Sequence, residues 1–198
     1  VPSYPLLDAL AALEGVELIR YRLPAEDRWS VHASLVEEAA DRAAADGRRV
    51  AAAVLVNPNN PTGTSIGRAE RDALSALAAR RGFALVSDEV FLDYRFADRP
   101  GDVRVAAAAP GDALVFSLGG LSKSAALPQL KLGWILANGP AAPLAEALER
   151  LAWIADSYLS VGTPVQLALP GLLSFGETAA RALRARLLGN HAALAHAL

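Results

Sequence analysis

The sequence predicts an α/β fold, a three-layer α/β/α arrangement on a mainly parallel sheet. Short apolar runs alternate with stretches of helical spacing, the connections are short, and polar loops follow the apolar runs. Residues 50–56, Val-Ala-Ala-Ala-Val-Leu-Val, are the clearest run, continuous enough for a strand buried on both faces.

Taken in order, Leu6, Leu7, Leu10 and Leu13 recur at helical spacing and stop at Gly15, the pattern of a helix closed by glycine. Residues 16–21 alternate as a strand, and residues 35–45 read as a helix ending near Gly47. The 50–56 strand runs into Asn57-Pro-Asn-Asn-Pro-Thr-Gly63, where two prolines and a glycine forbid regular structure. A helix follows over 67–81, with Ala73, Leu74 and Leu77 inward and Arg68, Arg71 and Arg80 outward. Gly82 ends it, and residues 83–87 form the next buried strand, meeting Asp88-Glu89 at its carboxyl end.

After Pro100-Gly101, residues 103–109 fit neither period. Residues 113–117 read as a strand, Gly119-Gly120 as a turn leading to Lys123, and residues 132–137 as a further strand. Residues 143–155 and 165–173 have helical spacing, with a turn over 156–164. Residues 178–198 form an amphipathic helix with Ala182, Leu183, Leu187, Leu194 and Leu198 on its apolar side. Trp153 and Tyr158 suit the core or an interface, the core being favoured. In sheets of this kind ligands bind beyond the carboxyl ends of the strands, where residues 57–63, 88–89 and 117–123 all lie.

Composition narrows the function. With 198 residues, 53% of them hydrophobic and 20% charged, the chain buries one sizeable core and is globular. A net charge of -2 argues against nucleic acid or a polybasic membrane surface as partner. Without cysteine there are no disulfides or thiolate metal sites, and His32, His191 and His196 are too scattered for a metal. Asp93, Asp98 and Asp102 form a loose acidic set without cation-site spacing. No run of apolar residues is long enough to span a bilayer, so a cytoplasmic protein is the expectation. The chain has no methionine and opens at Val1-Pro2, so it reads as part of a longer protein cut at both ends.

Of 19 basic residues only Lys123 and Lys131 are lysine, and both lie in one segment. Arginine serves a surface equally well but cannot lose its proton and act as an amine nucleophile. A retained primary amine suggests a Schiff base between Lys123 and an aldehyde. Composition alone leaves open that both lysines are ordinary surface residues.

Three motifs go further. Asn57-Pro-Asn-Asn-Pro-Thr-Gly63, Ser87-Asp-Glu-Val-Phe-Leu-Asp-Tyr94, and Leu121-Ser-Lys-Ser with Lys131-Leu-Gly-Trp134 closely resemble, in this order and spacing, the class I/II aminotransferases of pyridoxal phosphate (PLP) fold type I. The resemblance covers essentially the whole chain. It implies that residues 1–175 are part of a PLP-binding large domain and that 176–198 lead toward a C-terminal small domain. It also implies amino acid and 2-keto acid substrates and a homodimer whose sites draw on two subunits.

The resemblance assigns roles residue by residue. Lys123 matches the lysine that binds PLP covalently and later shuttles the substrate's α-proton, which requires a neutral amine. Asp88 matches the carboxylate that pairs with the pyridinium nitrogen. Asn60 matches the asparagine that donates to the cofactor's phenolic oxygen, while Asn57 and Pro58 read as loop formers. Ser122 matches a phosphate-binding serine, assisted by backbone N–H groups at a helix start. Tyr4, in Pro-Ser-Tyr-Pro, resembles the aromatic residue stacked on the ring; a core tyrosine is the other reading.

Departures are equally specific. Lys131 stands where many relatives clamp the phosphate with arginine, so the bidentate fork is lost. Phe91 stands where many have a tyrosine bonded to the cofactor's oxygen, a contact only Tyr94 is placed to replace. Gly120 replaces a frequent serine. The family's glycine-containing phosphate loop and its carboxylate-binding arginine are not found, so this polypeptide alone should bind PLP poorly. The same lysine, aspartate and asparagine serve PLP lyases and decarboxylases. A ligand-sensing domain of a transcription regulator and an inactive fragment are the remaining alternatives.

Overall fold

The structure, a computed structural model, describes residues 1–97, 104–108, 112–158 and 160–197. Pro100-Gly101, Asp98, Asp102, Val103, Ala109, Leu159 and Leu198, on which parts of the sequence reading fall, lie outside them. In chain order come α1 (Leu6–Leu13), α2 (Ala33–Ala45), β1 (Ala52–Val56), α3 (Arg68–Arg81), β2 (Ala84–Asp88), α4 (Val105–Ala108), β3 (Val115–Gly120), α5 (Leu121–Ser124), β4 (Gly133–Asn138), α6 (Ala141–Ser157) and α7 (Thr163–Ala197).

The sheet has the order β1-β2-β3-β4. The first three strands are parallel, in the registers Val56↔Asp88 and Asp88↔Leu118, and β4 runs antiparallel to β3 from Val115↔Asn138 to Gly120↔Gly133. The α/β class and the mainly parallel sheet therefore stand. One sheet face carries Ala53, Leu55, Leu85 and Val115, which pack against Val36 of α2, Leu74 and Leu77 of α3, and Val105 of α4. Because strand side chains alternate, the intervening Val54, Val56, Val86 and Asp88 fall on the other face and are half-buried.

Local chemistry sets the ends of α3. Glu70 accepts from the Gly67 N–H at 3.0 Å and closes the first turn. Gly82, at φ 70°, ends it with its N–H on the Ala78 carbonyl, a left-handed conformation that favours glycine.

Several expectations are corrected. Residues 16–21 form no strand: Tyr21 bonds Val54 O at 3.0 Å through its hydroxyl, and its carbonyl accepts from the Val1 amino terminus and not from β1. Gly119 and Gly120 are not a turn but the last two residues of β3. The Trp134 indole lies where a Gly119 Cβ would stand, and a Cβ on Gly120 would come within 3.1 Å of Leu132 O. A serine at position 120 would therefore be crowded. Arg71 is buried, not outward, held against Asp72 with Nη2 to Oδ1 at 2.6 Å. Trp153 and Tyr158 are not core residues but are 68% and 74% exposed, because α6 buries none of its side chains.

The two helices expected over 165–173 and 178–198 are one continuous helix, α7, which passes through Pro170. An interior proline removes a backbone hydrogen bond and reads as a break. Here Val165, Leu169 and Leu172 seat the helix on Leu121, Ala125 and Leu132, a second apolar cluster beneath α5. Gly176 completes this contact: its added Cβ would lie 2.8 Å from Ala125 Cβ and 3.0 Å from Ser124 O.

The close approach at Gly176 makes opposite predictions for two glycines of one helix. Gly189 has open space around it, so Gly189→Ala gains up to about 1 kcal/mol of helix propensity. Gly176→Ala loses on the order of 1–3 kcal/mol through overpacking. Denaturant titration of both variants checks this; a gain at Gly176 would show that α7 does not bear on α5.

Candidate functional site

Three connections leave the carboxyl ends of β1, β2 and β3 at one edge of the sheet. The first, 57–63, is stiffened by two of its three asparagines. Asn57 is buried, its Oδ1 accepting from Ile66 N at 3.1 Å and its N–H donating to Asp88 O at 2.8 Å. Asn59, also buried, donates from Nδ2 to Thr62 Oγ1 at 2.8 Å and to Pro2 O at 3.2 Å. Both roles are structural. Asn60 is half-buried, and its amide makes no hydrogen bond among the described residues. It lines a cavity of about 430 Å³ between this loop and the one after β2, facing Phe91, Tyr94 and Phe96. The turn is thus stiffened by the neighbours of Asn60.

Asp88 and Glu89 are adjacent but have opposite environments, a consequence of strand alternation. Glu89 points into the core with a fully buried side chain, its Oε1 accepting from Val105 N at 2.7 Å and Ser117 Oγ at 3.0 Å, with Arg104 Nη1 at 3.7 Å from Oε2. It ties β2 to α4 and β3. Burial pushes its carboxyl pKa up, and these hydrogen bonds and Arg104 pull it back. The sequence reading passed over this role, which a period of two and the serine at 117 would have signalled.

Asp88 is half-buried and accepts one hydrogen bond, from Val90 N at 3.2 Å. Burial pushes its pKa above the ordinary 3.8, and the Val90 contact opposes this only in part. It has no cationic partner among the described residues. A desolvated carboxylate without a cation is an unmatched charge.

Lys123 stands on the single turn of α5 immediately after β3. Its side chain is exposed, with Nζ 5.3 Å from the centre of the Phe91 ring, and it has no ion pair among the described residues. Lys123 thus reaches the connection that begins at Asp88. The hydroxyl of Tyr94, the residue placed to replace the tyrosine contact missing at Phe91, donates to Lys123 O at 2.6 Å.

The remaining candidates are less closely gathered. Ser122 is half-exposed beside Lys123, and its hydroxyl makes no hydrogen bond among the described residues. α5 has only four residues, so the backbone anion site expected at a helix start has little dipole behind it. Lys131 is exposed and left-handed at φ 52°, on the return to β4, where Leu132 O accepts from Leu121 N at 3.0 Å. The returning chain therefore passes the base of α5. Tyr4 is 40% exposed, not a core residue, and lines a separate pocket with Asn59 rather than the cavity of Asn60 and Phe91. His32 pairs with Asp27 at the surface, and His191 and His196 are exposed. Among the described residues no three His, Asp or Glu cluster as metal ligands, and no helix is long and apolar enough to cross a membrane.

Comparison with known proteins gives consistent matches. The family model for aminotransferase class I and II matches residues 1–198. S-alkyl-thiohydroximate lyase SUR1 of Arabidopsis thaliana is 30% identical over 176 residues, 87% of this chain and 36% of that protein. Glutamate-pyruvate aminotransferase AlaA of Haemophilus influenzae is 29% identical over 181 residues, 89% of this chain and 43% of that protein. The solved structure of N-succinyldiaminopimelate aminotransferase from Mycobacterium tuberculosis superposes with a TM-score of 0.74 at 25% identity, covering 98% of this chain and 48% of that one. The chain thus spans less than half the length of these relatives. With a family model matched from first residue to last on this fold, the chain belongs to the class I and II aminotransferases.

Proposed function

We propose that this chain carries the cofactor centre of a PLP-dependent aminotransferase that moves an amino group from an amino acid to a 2-keto acid. The observation behind it is that Asn60, Asp88 and Lys123 stand where the chain leaves the carboxyl ends of β1, β2 and β3, with Asn60 and Phe91 lining one cavity and Lys123 lying over the Phe91 ring. Among the described residues each has an unmatched group that PLP would satisfy: an amide without a partner, a desolvated carboxylate without a cation, and an amine without a carboxylate. When bound, PLP supplies an aldehyde that condenses with an amine and a ring that takes up electrons as a bond at the amino acid's α-carbon breaks.

The protein supplies position and charge. Lys123 holds the cofactor and, once released, carries the proton taken from the α-carbon. Asp88 keeps the ring nitrogen protonated, Asn60 donates to the phenolic oxygen, and Ser122 and Lys131 hold the phosphate. Tyr4 is assigned to the ring face. In the same proposal residues 1–175 belong to the large domain and 176–198 lead to a small one, so the division falls inside α7. The protein is cytoplasmic and homodimeric, with Trp153, Tyr158 and Leu167, all more than two-thirds exposed, as candidates for the subunit contact.

A lyase reaction at the same centre is the second reading, favoured by the 30% identity to a protein named as a lyase. A keto acid released together with pyridoxamine phosphate supports transfer; a cleaved side chain without it supports the lyase.

Borohydride reduction of the intact protein with PLP should fix the cofactor on the Lys123 peptide, as read by mass spectrometry. Lys123→Ala should abolish the label, and a label on Lys131 alone would overturn the assignment. Asp88→Asn should lower transfer on the order of a hundredfold, the scale of a lost electrostatic contact. The same change should stabilise the ligand-free protein. A carboxyl whose folded pKa is raised costs nothing below its ordinary 3.8 and its full amount above the raised value. Asp88→Asn should therefore raise the melting midpoint at pH 7.5 and leave it nearly unchanged at pH 4. An equal shift at both pH values would show that the ionised carboxylate carries no such cost.

A further inference from the structure

Phe91 and Tyr94 both reach Lys123 from the connection that begins at Asp88. The Lys123 ammonium lies 5.3 Å from the centre of the Phe91 ring, and Tyr94 donates to the Lys123 carbonyl at 2.6 Å. The rings meet edge to face, with centroids 6.4 Å apart and planes at 68°. Their spacing is set by one tight turn, Leu92–Tyr94, anchored by the buried Leu92 and closed by Tyr94 N on Phe91 O at 3.0 Å. Two side chains on one rigid turn thus hold both ends of one lysine.

These contacts act differently. A ring face attracts an ammonium through its quadrupole, so the Phe91 contact holds the charged end of the side chain. The Tyr94 bond fixes the main chain whatever the charge of Nζ. Burial and the neighbouring Asp93 push the phenol's pKa up, so it stays a donor at neutral pH. Other charges surround this corner. Asp88 ends β2, Asp93 and Arg95 share the connection, Arg104 precedes α4, and Lys131 is on the return loop. Glu177, Arg181 and Arg184 line the α7 side. None forms an ion pair with Lys123 among the described residues, which leaves the ring as the partner of its charged end.

We propose that Phe91 and Tyr94 are positioning residues for the Lys123 amine: Tyr94 pins the backbone at residue 123, and the Phe91 ring seats the free ammonium. This deepens the reading of Lys123 as the cofactor lysine. The contact needs only an aromatic ring at position 91, so the loss of a hydroxyl there leaves it intact.

The test is trace acylation of the cofactor-free intact protein with acetic anhydride at pH 8, read at each lysine by peptide mass spectrometry with Lys131 as internal reference. Phe91→Leu is expected to raise the Lys123-to-Lys131 labelling ratio about threefold, the scale of a lost exposed cation–π contact. Phe91→Tyr keeps the ring face and should keep the ratio. Tyr94→Phe should leave the ratio nearly unchanged while speeding deuterium uptake across 121–126 several-fold, because only the backbone anchor is lost. An unchanged ratio in Phe91→Leu, or unchanged exchange in Tyr94→Phe, would overturn the proposal. PLP uptake by the parent separates it from the cofactor assignment. A raised ratio and faster exchange without PLP uptake overturn the cofactor role and uphold the positioning, whereas normal uptake with ratio and exchange unchanged overturns the positioning alone.

Discussion

The parallel pairing of β2 with β3 is the constraint on which the site depends. In the register Asp88↔Leu118, the carboxyl end of β2 stands two residues short of Gly120, where the chain turns into α5 and Lys123. Side chains alternate along a strand, so the face given to Leu85 and Ser87 in the core also decides that Asp88 is on the opposite face and Glu89 is not. A slip of one residue would exchange the two carboxylates and bury Asp88 under α4. The apolar packing of Leu55, Leu85 and Val115 against α3 and α4 opposes that slip.

The exchange would matter because the two carboxylates differ in how they are satisfied. Glu89 spends its charge inside the fold, on Val105, Ser117 and Arg104. Asp88 has one backbone contact and a raised pKa. A fold selected for stability alone has no reason to desolvate a carboxylate without a cation. In the proposed function Asp88, the amide of Asn60 and Lys123, unmatched among the described residues, are taken together as groups whose partner is a ligand.

Much of this was legible in the chain. Strands β1 and β2, helix α3 and the positions of Asn60, Asp88 and Lys123 at or just beyond the carboxyl ends of the strands follow from short-range pattern, since hydrophobic period, glycine caps and proline placement act within a few residues. What escaped depends on distant neighbours. Residues 16–21 have strand chemistry but no ladder partner, and alternation alone cannot supply one. Gly119 and Gly120 look like a turn until Trp134 is brought across the ladder from β4. Residues 174–177 look like a break between two helices until Gly176 is seen packed against Ala125 and Ser124 within one continuous helix. Tyr94, named in the sequence only as a possible substitute for a missing hydroxyl, instead bonds the lysine's own backbone.

The most direct measurement is a crystal structure of the intact protein grown with PLP. Electron density continuous from Lys123 Nζ into the cofactor, with the ring nitrogen in hydrogen-bond contact with Asp88, is the expected result. A cofactor bound elsewhere, or an Asp88 carboxylate turned away from it, would contradict the assignment of this edge of the sheet as the catalytic centre.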